Sequence, residues 1–245
     1  MTNNLPPRDL LAEGLAQLGI SPSDRITDTL FSYMELTLEK NLSLNLTAIT
    51  DPAEFILKHY LDSLAICPGP VMQNAAVILD LGTGGGFPGI PLAVVFPEKR
   101  FVLVDSLNKR ILFLQEACRR LGLENVTALH GRAEDLGRDK RWRESFDLCV
   151  SRAVAKLPSL SEYCLPFVKT GGWFAAYKTD GEDLSQGKKA LDTLGGSIRQ
   201  IAPFPVFSGP LSGYSLHHNI VYIQKLRPTP SSYPRKAGTP TKNPL

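Results

Sequence analysis

From residue 76 onward the chain alternates short, uninterrupted apolar runs with helical stripes. Val77-Ile78-Leu79-Asp80-Leu81 and Phe101-Val102-Leu103-Val104-Asp105 are apolar at nearly every position. Such runs belong to strands covered on both faces, as in a parallel sheet. Between them lie a glycine loop at 82–86 and a short helix predicted over 88–96. Leu107, Ile111, Leu114, Cys118 and Leu121 mark one face of a helix that Gly122 ends. Further strands are predicted at 126–130, 146–151 and 173–178, with helices at 159–168 and 183–194. This order specifies an α/β fold with a doubly wound, mostly parallel sheet. Only a loop separates the last two strands, 198–204 and 218–225, so an antiparallel hairpin at the sheet's edge is expected.

Residues 1–70 read instead as an N-terminal helical extension, a cap on a main domain at 71–225. Ser21-Pro22-Ser23-Asp24 reads as a helix start with Ser21 as N-cap and Pro22 first in the helix. Asp51-Pro52-Ala53-Glu54 repeats the arrangement. Residues 226–245 hold five prolines and no acid, which predicts an extended, mobile, basic tail.

The chain of 245 residues has 27 Lys and Arg against 24 Asp and Glu, a net charge of +3. That excludes a heavily basic nucleic-acid coat. The charge is uneven, because the tail carries four basic residues and the rest of the chain is one charge below neutral. On this reading the chain is a near-neutral body with a separable basic extension. The start lacks the apolar core of a signal peptide, and the uncharged stretch 81–97 is broken by five glycines and three prolines. Cys67, Cys118, Cys149 and Cys164 have neither metal-ligand nor disulfide-framework spacing. A cytoplasmic protein without membrane association or metal is expected.

The glycine loop follows the first strand directly, where an open α/β sheet binds its ligands. Gly84-Gly85-Gly86-Phe87-Pro88-Gly89 matches the G-x-G-x-x-G pattern of dinucleotide folds. An NAD-dependent oxidoreductase is therefore one reading. Asp80 argues for another, since a carboxylate at the turn repels a pyrophosphate and suits the sulfonium and ammonium of S-adenosylmethionine. Asp105, at the end of the second strand, is placed to accept ribose hydroxyls, and Ala133-Glu134 after the third to flank adenine. Cys149 and Cys164 read as core residues, not nucleophiles. At 151–154 the chain has Ser-Arg-Ala-Val, where exocyclic-amine methyltransferases commonly carry Asn/Asp-Pro-Pro-aromatic. An acceptor with a free lone pair, such as guanine N7, fits best, and no catalytic side chain is singled out. A class I methyltransferase acting on a small molecule or a protein stands as the alternative.

Asn45-Leu46-Thr47, His59-Tyr60-Leu61-Asp62-Ser63, the run 80–91, Asp105-Ser106-Leu107-Asn108-Lys109-Arg110 and Ser151-Arg152-Ala153 together resemble the RsmG (GidB) family. These are small-subunit ribosomal RNA guanine-N7 methyltransferases. The resemblance covers about residues 11–225, and 233–240 resembles tails of some members only. It implies a Rossmann-like class I fold, S-adenosylmethionine as donor, and a guanine in the decoding-region loop of 16S rRNA, free or in the small ribosomal subunit, as acceptor. A monomer is expected. It further implies that Gly82, Gly84 and Phe87 line the donor pocket, that Asp105, Ser106 and Leu107 hold the ribose, and that Arg152 belongs to the same pocket. RNA contacts are expected at Lys109, Arg110, Lys178, Arg235 and Lys236. Thr179 stands where many members have glycine.

Overall fold

The structure is a computed structural model that describes residues 5–214 and 216–245. Seven strands form one sheet: β1 (Val77–Leu81), β2 (Arg100–Asp105), β3 (Val126–His130), β4 (Phe146–Arg152), β5 (Val168–Thr179), β6 (Gly196–Pro203) and β7 (His218–Lys225). Their order is β3-β2-β1-β4-β5-β7-β6. The first five run parallel, and β7 lies between β5 and β6, antiparallel to both. The expected edge hairpin is present, with its second strand on the inside. Strand order reverses between β1 and β4, so the chain leaves the sheet in opposite directions there and opens a crevice at the strand ends.

The sheet buries a core on each face. One contains Ile78, Leu103, Leu114 and Leu148 together with the N-terminal helices. The other contains Leu79, Val104, Cys149 and Phe174, covered by the helices Leu157–Cys164 and Lys188–Leu194. Consecutive residues of β1 thus serve opposite cores, which is why the strand is apolar throughout.

The N-terminal helices are Pro7–Gln17 and Asp24–Leu44. The second starts two residues later than read from sequence. Ser23, not Ser21, caps it, accepting the Ile26 N–H. A third run starts at Pro52–Phe55, where Asp51 accepts the Glu54 N–H at 2.9 Å, and passes through a π-helical turn at Ile56–Leu61. The cap joins the glycine loop directly. Tyr33, fully buried, donates its hydroxyl to the Gly85 carbonyl at 2.5 Å. Among the described residues no helix is long and apolar enough to cross a membrane.

Residues 226–245 are not an extended tail. Thr229 donates its N–H to Glu144 at 2.8 Å, and Arg143 binds the Thr229 and Tyr233 carbonyls. Arg235 forms a two-pronged pair with Glu162, which has no exposed surface. A buried carboxylate requires such a partner. Composition could not show this, because Glu162 sits in an ordinary-looking helix whose burial is tertiary.

Gly86 has φ +85°, and a Cβ there would lie 2.2 Å from the Tyr33 hydroxyl and 2.8 Å from Ile90. Gly86→Ala is expected to lower stability by more than about 2 kcal/mol through strain and collision, read as a shift in the urea midpoint.

Candidate active site

The glycine loop is held by two carboxylates at neighbouring strand ends. Asp105 accepts the Gly84 N–H at 3.0 Å and the Leu107 N–H at 2.8 Å, and pairs with Arg110 at 3.3 Å. Asp80 Oδ2 accepts the Thr83 hydroxyl at 2.6 Å and the Gly89 N–H at 2.8 Å. Burial pushes the Asp80 carboxyl up to about 6, although both hydrogen bonds favour its charged form. Its Oδ1 is buried and has no partner among the described residues.

These bonds bear on the two cofactor readings. Gly84 donates to Asp105, Gly86 to the Thr83 carbonyl and Gly89 to Asp80. All three glycine N–H groups of the dinucleotide-like motif are spent inside the protein. A pyrophosphate needs such donors free.

A cavity of about 500 Å³ opens at the ends of β1, β2 and β3, within the range of small-molecule sites. Its wall includes Gly82, Asp105, Ser106, Ala133 and Glu134, five of the residues read from the sequence. Asp80, Gly84, Phe87, Leu107 and Arg152 are not on it. Asp80 lies on the opposite face of β1 from Leu81, beneath the loop it fastens. Gly84 and Leu107 supply only backbone bonds to Asp105. The cavity also includes Val154, Lys156, Tyr163, Thr241 and Pro244, none of which was anticipated. Lys156 follows the Ser-Arg-Ala-Val segment closely enough to have been suspected. Val154 ends that segment, and Tyr163, Thr241 and Pro244 carry no sequence signal.

Phe87 belongs to the seam between cap and sheet. Its ring stacks on His59, centroids 4.4 Å apart, and meets Phe55 and Tyr33 edge-on. Arg152 lies over the same ring at 5.5 Å and pairs with buried Asp62 at 2.6 Å. Burial raises the Asp62 carboxyl, but the His218 hydrogen bond and the Arg152 charge outweigh it and hold the group below its ordinary value. Arg152 also reaches His59 Nδ1 at 3.2 Å. A guanidinium only donates, so Nδ1 accepts and Nε2 carries the proton toward Thr47 Oγ1 at 2.7 Å. Burial, reinforced by the Arg152 charge, lowers His59 to about 3, so its imidazole is neutral near pH 7.

A second cleft of about 310 Å³ adjoins the first. The two share Val154, Ala155 and Lys156, and the second is lined further by Arg152, Tyr177, Lys178 and His218. The shared wall is clamped from behind. Lys178 Nζ donates to the Ala155 carbonyl at 2.6 Å and pairs with Glu182 at 3.0 Å, while Glu182 accepts the Leu157 N–H at 2.9 Å. Gly82 permits the wall's position, since a Cβ there would lie 2.4 Å from Val154 Cγ2.

The residues expected at RNA divide in two. Lys109 and Lys236 are exposed. Arg110, Lys178 and Arg235 are each paired with a carboxylate of the protein. Sequence reports that a residue is basic, not whether its charge is already compensated.

A family model described as "GidB: rRNA small subunit methyltransferase G" matches residues 26–204. The chain belongs to this family. The ribosomal RNA small subunit methyltransferase G of Acetivibrio thermocellus is 48% identical over 239 residues, covering 97% of this chain and 96% of that protein. Its counterpart in Alkaliphilus metalliredigens is 42% identical, covering 96% and 98%. Among solved structures, a SAM-dependent methyltransferase from Aquifex aeolicus superposes with a TM-score of 0.53 at 15% identity, over 74% of this chain and 97% of that one. The latter likeness is one of fold. The sheet order and the match across cap and sheet place this methyltransferase G family member among class I methyltransferases.

His218 donates to Asp62 at 3.1 Å, and this bond, ahead of an opposing burial effect, raises its pKa. Such a group contributes stability that is full below its unfolded pKa and lost as pH rises through the folded one. His218→Gln is therefore expected to destabilise the protein most in weakly acidic buffer. The difference from wild type should shrink toward alkaline pH in paired urea titrations.

Proposed function

We propose that the chain transfers the methyl group of S-adenosylmethionine to N7 of a guanine in 16S rRNA, with the donor in the larger cavity and the base in the second cleft. The observation that supports this reading is the thin shared wall, Val154 to Lys156, between two adjoining cavities at the switch point of a methyltransferase family fold. The donor, when bound, supplies a methyl carbon carried on a sulfonium. The residues present fit it. Asp105 retains lone-pair capacity for ribose hydroxyls, and Ala133, Val104 and Tyr163 offer apolar surface for adenine. Asp80, with one oxygen unpaired, supplies a negative charge beneath the loop.

Transfer to a lone pair is governed by positioning, and N7 has no proton to remove. The reaction leaves a positive charge on the purine, so an uncompensated cation in the cleft would oppose it. Arg152 and Lys178 are compensated by Asp62 and Glu182, and His59 is neutral. Arg152 and Lys178 thus line the second cleft with their charge compensated, and Lys156 is the exposed cation at its rim. A splayed-out base can enter such a cleft while backbone phosphates meet exposed lysines. Lys109 and Lys156 are exposed, Lys156 on the wall that both openings share.

Small ribosomal subunits lacking the modification, incubated with labelled donor, should take up label at guanine N7. Donor binding without transfer to any ribosomal RNA would overturn the proposal. Gly82→Ala should weaken donor affinity about tenfold or more by displacing Val154, measured by equilibrium dialysis.

A further inference from the structure

The C-terminal segment is the one part of the chain whose expected role the fold reverses. Its sequence predicts a mobile basic tail with Arg235 and Lys236 at RNA. Its arginines are spent elsewhere: Arg235 on Glu162, and Arg227 on the Asp192 carbonyl. Its course is fixed by bonds to the helices flanking the donor cavity. Gly238 donates its N–H to Glu134 Oε1 at 2.8 Å. Ser159 donates its hydroxyl to the Pro240 carbonyl at 2.8 Å. The Tyr163 and Thr241 hydroxyls meet at 2.6 Å. Glu134, Ser159, Tyr163, Thr241 and Pro244 all lie on the cavity wall.

We infer that the segment from Gly238 to Pro244 is a built wall of the methyl-donor site, closing on the adenine end of the donor, with the Arg235–Glu162 pair as the anchor that holds it there. The inference rests on the function proposed above and specifies how that site is completed. Adenine is a flat apolar ring with a polar edge. Pro244 and Tyr163 supply apolar surface beside Ala133, and Thr241 supplies a hydroxyl at the rim. Glu134 reaches the tail with Oε1, so its position at the adenine side serves to carry the wall as well as to border the ring. The anchor lies outside the cavity. Glu162 is buried, and Arg235 binds it through its backbone N–H at 2.7 Å and through Nε and Nη2 at 2.6–3.1 Å. A pair of this kind costs much when one partner is lost and keeps a single geometry. Prolines at 228, 230, 234, 240 and 244 reduce the segment's freedom before any ligand arrives. The wall is thereby pre-organised, and less ordering entropy opposes donor binding.

The test compares the full chain, a chain ending after Lys236, and full-length Thr241→Trp. Equilibrium dialysis with labelled S-adenosylmethionine gives donor affinity. Filter binding of a 16S rRNA fragment at several salt concentrations gives RNA affinity, and thermal melting reports folding. The truncated chain keeps Arg235 and its anchor, so it should fold. It should bind donor about tenfold or more weakly while its RNA affinity and salt slope stay within about twofold. Thr241→Trp leaves the anchor and every basic residue intact but places bulk at the cavity rim, and should weaken donor binding similarly while the protein still melts in one cooperative transition. Wild-type donor affinity in both variants would overturn the inference. So would a loss confined to RNA affinity, which is the result expected of a basic arm. If the full chain itself binds no donor, the proposed function fails, an outcome distinct from failure of the wall alone.

Discussion

The buried carboxylate of Asp80 holds the centre of this molecule together. It ends the strand at the middle of the sheet and ties the glycine loop at both ends, through the Thr83 hydroxyl and the Gly89 N–H. The loop then presents Gly85 to Tyr33 of the cap, Gly84 to Asp105, and Gly82 to Val154. At Gly82 the approach is close enough that a side chain would displace Val154. Fully burying a carboxylate opposes its charged form, and the raised pKa records that opposition. The cost is offset where the loop's own N–H and hydroxyl groups would otherwise lack partners.

Around that loop the protein spends most of its charge internally. Asp62 compensates Arg152 and His218, Glu182 compensates Lys178, Glu162 compensates Arg235, and Asp105 compensates Arg110. In each pair at least one partner is largely buried, so screening by salt is weak and one geometry is favoured. The consequence is a pair of mainly apolar clefts, the second of which has Arg152, Lys178 and His218 each matched by a carboxylate. That suits a transfer in which positive charge moves from donor to acceptor. The chain as a whole keeps a net charge of only +3.

The helical cap is a structural partner of the site more than an attachment to it. Phe55, His59 and Tyr60 surround Phe87, whose ring is the loop's only large side chain. Arg152 covers the same ring from β4. Motion of the cap would therefore be felt by the loop and by the second cleft at once.

Sequence alone determined the strands and main helices in chain order and the edge hairpin, because hydrophobic period and turn residues are local properties, and the order of strands across the sheet came from the structure. Asp105, Ala133 and Glu134, read from strand ends, and Gly82 and Ser106, read from the family resemblance, lie together on the wall of one cavity, whereas Asp80 and Phe87 lie off it. Period two says that Asp80 and Leu81 part ways, but not which face meets the cavity. Sequence missed Tyr163, Thr241 and Pro244 because nothing near them in the chain marks them. Tertiary structure alone decided which cations are free, and it turned a proline-rich basic end into a wall. The reason is physical: a buried Glu162 needs a countercharge, and burial is a property of the packed molecule that no stretch of sequence carries by itself.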